Sequence, residues 1–136
     1  MFKLHHVALS VSNMDASIAF YTRFDFKPVY RWHADDGKLT IVHLKLDELL
    51  LELFSFKSSA AAPDSSKELA SDLPRVGIKH FGLKVIDIHA TLKHLQQQQL
   101  ADDHIKVIQG RTGIEYFFIK DPDGILLEIV QDDRQL

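Results

Sequence analysis

The chain repeats itself, and this constrains its fold more than any other feature. His6-Val7-Ala8-Leu9-Ser10-Val11 returns 74 residues later as His80-Phe81-Gly82-Leu83-Lys84-Val85, with His, Leu and Val at the same relative places. Leu50-Leu51-Glu52-Leu53 returns 76 residues later as Leu126-Leu127-Glu128-Ile129. Two matches, in the same order and at nearly the same offset, mark a duplicated unit and set the architecture before any single element is considered.

Each half predicts a strand, a helix and three further strands. Residues 4–11 alternate and are rich in β-branched types, and from Asn13 or Asp15 onward Ile18, Tyr21 and Phe24 fall at helical spacing. Strands follow at Phe26–Trp32, Leu39–Leu46 and Leu49–Phe56, separated by turns at Ala34-Asp35-Asp36-Gly37 and near Asp47-Glu48. Residues 57–75 are rich in Ser, Ala and Pro and read as a connector with room for a short helix. The second half repeats the order: strand 78–85, helix 87–99, strands 104–108 and 114–120, an Asp121-Pro122-Asp123-Gly124 turn, and strand 125–131. The expectation is an α+β fold of two βαβββ modules, 1–56 and 76–136, forming a cleft of mixed sheet within one domain spanning residues 1–136.

With 46% hydrophobic and 26% charged residues, the composition is that of an ordinary globular protein. A net charge of -3, with Lys and Arg scattered, offers no basic footprint for nucleic acid. No apolar run approaches the roughly 18 residues of a membrane span, and the N-terminus lacks the pattern of a signal peptide, so a soluble cytoplasmic protein is expected. Cysteine is absent, so any metal must rest on His, Asp or Glu.

Successive side chains of a strand face opposite ways. His6 therefore shares a face with Ala8 and Ser10, and His80 with Gly82 and Lys84, away from the apolar face that packs on the helix. Glu52 and Glu128 are each the one carboxylate of an apolar strand, and such a group is costly to bury unless paired, protonated or bound to a metal. Two imidazoles and two carboxylates, His6, Glu52, His80 and Glu128, suit one divalent ion: zinc, nickel, cobalt, manganese or iron(II). At most four protein ligands would leave an octahedral ion with open positions for water or a chelating substrate. The alternative is that each His is a hydrogen-bonded structural residue and each Glu pairs with Arg31, Arg75 or Arg111. Recurrence of both residue types at equivalent strand positions favours the metal. His5 is the reserve ligand if the register is off by one. His33, His43, His89, His94 and His104 lack counterparts and read as surface or local hydrogen-bonding residues, and the Asp-Pro-Asp-Gly turn as a hairpin device.

His6-Val-Ala-Leu-Ser-Val, the Ser17-Ile18-Ala19-Phe20-Tyr21 helix and Asp121-Pro122-Asp123-Gly124-Ile-Leu-Leu-Glu128 resemble the glyoxalase/bleomycin-resistance/dioxygenase (vicinal oxygen chelate) superfamily over essentially the whole chain. In glyoxalase I-like members the His of the first strand and the Glu of the fourth in each half bind the metal, which falls here on His6, Glu52, His80 and Glu128. The resemblance implies a lyase or isomerase whose metal polarises a carbonyl or its adduct, while a carboxylate takes the adjacent proton and the ion stabilises the enediolate. Glu128 is the expected base and Glu52 the other candidate. Glutathione-using members commonly carry an Arg four residues after the first His, where this chain has Ser10. The resemblance also admits a metal-free drug-sequestering protein, an iron(II) dioxygenase or an acyl-CoA epimerase. The expected partners are a small-molecule substrate and, because each incompletely closed sheet leaves an edge, a second copy of the chain in a homodimer.

Overall fold

The computed structural model describes residues 1–136. The first module runs β1 (His6–Ser10), α1 (Met14–Thr22), β2 (Lys27–His33), β3 (Leu39–Leu46) and β4 (Leu49–Phe56). After a 3-10 turn at Asp64–Ser66 and the short helix α2 (Leu69–Asp72), the second module runs β5 (Phe81–Lys84), α3 (Ile88–Gln97), β6 (Ile108–Gln109), β7 (Glu115–Lys120) and β8 (Leu126–Gln131). The sheets have the same plan, β1-β4-β3-β2 and β5-β8-β7-β6, each with one parallel pair and two antiparallel pairs. This is the α+β arrangement of two βαβββ modules that the repeat requires. The chain divides into two compact units, Met1–Pro63 and Asp64–Leu136.

The helices start where side chains satisfy their first free amides: Ala16 N–H donates to Asn13 Oδ1 and Ala90 N–H to Asp87 Oδ1. Each helix covers one face of its own sheet. In the first unit Tyr21 and Phe26 are buried with Val42, Leu44, Leu51 and Leu53; in the second, Ile88, Leu92 and Leu95 are buried with Phe117, Ile119, Leu127 and Ile129. Alternation along β3, β4, β7 and β8 then leaves His43, Glu52, Phe118 and Glu128 on the opposite sheet faces. The two-residue β3–β4 turn is closed by Asp47 at φ 49°. In the β7–β8 turn the Asp121 carboxylate accepts from the amides of Asp123 and Ile125, and Gly124 adopts φ 80°, as a hairpin device should.

Two strands are shorter than their sequence suggests. The strand expected over 104–108 survives only as Ile108–Gln109. The Gln96 side-chain amide of α3 donates to the carbonyls of Asp102, Asp103 and Ile105, so a helix side chain holds this backbone instead of a neighbouring strand. The strand expected over 78–85 begins only at Phe81. Ile78 is exposed, and Lys79 turns to Asp72 of α2 at 3.2 Å. His80 therefore sits at the threshold of β5, whereas His6 is the first residue of β1.

Candidate functional site

In the first unit, register places the site residues side by side. Ala8 on β1 pairs with Glu52 on β4, Glu52 with His43 on β3, and His43 with Tyr30 on β2. Paired residues share a face, so β1 presents His6 and Ala8 on the side where Glu52 and His43 stand. Glu52 Oε2 lies 3.8 Å from His6 Nε2, and Glu52 Oε1 accepts a 2.8 Å hydrogen bond from His43 Nε2. His6 Nδ1 contacts His5 Nδ1 at 3.0 Å, which leaves Nε2 as the atom presented to Glu52. His6, not its neighbour His5, thus faces Glu52. The Tyr30 ring lies 5.6 Å from that of His43.

The second unit repeats half of this arrangement. Gly82 pairs with Glu128 and Glu128 with Phe118. His80 Nε2 donates to Glu128 Oε2 at 3.1 Å, and the Phe118 ring meets the His80 ring edge-on at 4.8 Å. Glu128 and His80 are more enclosed than their counterparts, with side chains 17% and 24% exposed against 22% for Glu52 and 47% for His6. Enclosure favours a carboxylate that keeps a partner.

Each carboxylate is thus compensated by imidazole rather than by arginine. Arg31 reaches toward Asp15 and Arg75 bonds Ser65 Oγ. As they stand, the side chains form pairwise contacts rather than a three-donor cage. The donor chemistry nevertheless suits a divalent ion, since each unit sets one imidazole nitrogen against one carboxylate oxygen. His80 Nδ1 is buried without a partner, so His80 lacks the outer hydrogen bond that His5 supplies to His6.

His43, which without a counterpart in the second half reads from sequence as a surface or local hydrogen-bonding residue, stands on the site face and bonds Glu52. Its signal was present: pairs counted outward from the Asp47-Glu48 turn bring His43 opposite Glu52. Other His residues do lie apart from the glutamates, with His33 on Thr40, His104 on Asp102 and His89 near Glu115. The Asp102 carboxyl is lowered from its ordinary value, chiefly by the His104 amide, and Asp132 is lowered by hydrogen bonds from the Arg134 side chain. A shallow groove of about 320 Å³ lined by Gln109, Glu115, Gln131, Asp133 and Arg134 contains none of the four predicted ligands.

Two βαβββ modules, each with a His–Glu pair on the sheet face away from its helix, define a protein of the vicinal oxygen chelate class. The chain belongs to the Glyoxalase/Bleomycin resistance protein/Dioxygenase superfamily, whose family model matches residues 3–129. It is 29% identical over 134 residues to the uncharacterised protein YaeR of Escherichia coli (strain K12), covering 95% of each chain. Among solved structures it resembles a glyoxalase family protein from Enterococcus faecalis, with a TM-score of 0.76, 28% identity, and 94% of this chain and 96% of the other covered. It shares the fold of a lactoylglutathione lyase from Agrobacterium tumefaciens at a TM-score of 0.61 and 24% identity, covering 95% of this chain and 92% of that one. No helix is long and apolar enough to cross a membrane.

Proposed function

We propose that this protein is a divalent-metal-dependent lyase or isomerase that moves a proton next to a carbonyl or hemithioacetal, with His6, Glu52, His80 and Glu128 as the metal ligands. The observation that carries the reading is the repeated pairing of one imidazole with one carboxylate at equivalent register, beside Ala8 and beside Gly82. A bound ion would supply Lewis acidity at the substrate oxygen. Glu128 takes the proton from the adjacent carbon, because its carboxylate lies in an apolar strand and has little water to hold it. Glu52 is the second candidate base. The substrate class is a 2-oxoaldehyde–thiol adduct or related carbonyl, and Ser10, which offers no cation to a glutathione carboxylate, leaves the identity of the thiol open. The two modules act as one domain and the protein works as a homodimer in the cytoplasm; native mass spectrometry should show the dimer, and monomer alone would remove that part.

The testing measurement is metal per chain, by elemental mass spectrometry, on protein purified without chelator or histidine tag. Near-stoichiometric divalent metal is expected in the wild type, and its loss in the double variant His6→Ala/Glu128→Ala, which removes two of four donors. No metal, even after reloading with nickel, zinc, cobalt, manganese or anaerobic iron, would defeat the proposal. It would favour a metal-free binding protein, for which the exposed Tyr30 and Trp32, on the His43 side of the sheet, offer stacking surfaces.

A further inference from the structure

The two halves are not equivalent around their glutamates. Glu52 accepts a cross-strand hydrogen bond from His43 at Oε1, 2.8 Å, while Oε2 faces His6 at 3.8 Å, beyond hydrogen-bond reach. The strand position that corresponds to His43 is Phe118 in the second module, since each lies directly opposite its glutamate. A phenyl ring donates no such bond, so Glu128 is held by His80 alone, at Oε2. The neighbouring strand differs in the same sense. Ala8 stands beside Glu52, whereas the residue beside Glu128 is Gly82, where a Cβ would come to 3.4 Å from Oε2. Each carboxylate thus accepts one imidazole hydrogen bond, Glu52 from the cross-strand His43 and Glu128 from His80.

We propose that His43 is a positioning residue that fixes Glu52 as a metal ligand, through a cross-strand hydrogen bond for which Phe118 offers no counterpart at Glu128. The inference deepens the metal-dependent reading above and rests on it. His43 acts through Glu52 rather than as a donor to the ion, because its Nε2–H is already committed to Oε1. The bond leaves Oε2 turned toward His6, the other donor of the first module. The Tyr30 ring beside His43 and the antiparallel β3–β4 ladder hold the imidazole in that pose. Outer hydrogen bonds of this kind orient metal ligands and fix their geometry before the ion arrives.

The test is the dissociation constant for cobalt(II), by competition with a chromophoric chelator, on the full chain. His43→Phe copies the second module's residue and should weaken cobalt binding by about 10–100-fold. His43→Gln keeps an N–H donor on a side chain of similar reach and should restore most of the affinity. His43→Ala replaces His43→Phe should the phenyl ring disturb the sheet, and circular dichroism confirms that each variant is folded. Loss in His43→Phe or His43→Ala with recovery in His43→Gln supports the positioning role. Wild-type affinity in the donor-less variants overturns it and leaves the metal-dependent reading standing. Equal loss in folded His43→Gln also overturns it, since that would make His43 a ligand in its own right. A wild-type protein that binds no cobalt defeats the underlying reading instead.

Discussion

Glu128→Gln should slow solvent-deuterium incorporation next to the carbonyl of a 2-oxoaldehyde–thiol adduct by about 10²–10⁴-fold, the contribution of a positioned general base. The substitution keeps the shape of the side chain and an oxygen able to face a metal, but the amide accepts no proton at neutral pH. Glu128 is the more enclosed carboxylate, 17% exposed, and faces Phe118 across the strand pair where Glu52 faces His43. Glu52→Gln should act differently. Its main effect is weaker metal binding, so added metal should recover most of the rate, whereas metal should not rescue Glu128→Gln. Proton NMR of the product formed in D₂O at saturating metal makes the comparison. A metal-resistant loss in Glu52→Gln with a recoverable one in Glu128→Gln would exchange the two roles. An undiminished rate in Glu128→Gln would remove it from proton transfer.

Much of this site was legible in the sequence because duplication converts a linear pattern into geometry. Once His6 and His80 are known to hold equivalent places in the two repeats, and Glu52 and Glu128 to lie on the neighbouring strands, parity alone predicts which faces they share. The two His–Glu contacts, at 3.8 and 3.1 Å, follow from that argument. The same reliance on repetition hid His43. A residue without a counterpart carries no weight in a comparison of halves, yet the departure from symmetry, His43 against Phe118, is what separates the two carboxylates. The information lay in the tightness of the Asp47-Glu48 turn, which fixes every cross-strand pair of β3 and β4. The shortened β6 was hidden for another reason. Residues 104–108 have strand composition, but the Ile105 carbonyl accepts from the Gln96 side chain and the Ile105 amide donates to Asp102, partners that local pattern does not reveal.

The core shows a second asymmetry, and it leads to the largest stability effect expected. The equivalent inward positions on β3 and β7 are Val42 and Phe117, both essentially inaccessible. The first module obtains its aromatic volume from Tyr21 on α1 and from Phe26, whereas α3 contributes Ile88, Leu92 and Leu95, leaving Phe117 as the largest fully buried side chain in the second module. Aromatic bulk has moved from helix to sheet. Phe117→Ala should therefore leave a cavity that aliphatic neighbours fill only partly, at a cost of about 3–5 kcal/mol. Against the roughly 5–15 kcal/mol that stabilises a domain, this is a large fraction. Equilibrium urea unfolding should show a lower midpoint with an unchanged slope. Val42→Ala removes less volume and should cost less. Phe117 and Phe118 point to opposite faces of β7, so the core variant also asks whether the Phe118–His80 contact depends on packing beneath it. A loss below about 1 kcal/mol would mean that the second core collapses around the missing ring, contrary to the close packing from which the prediction is made.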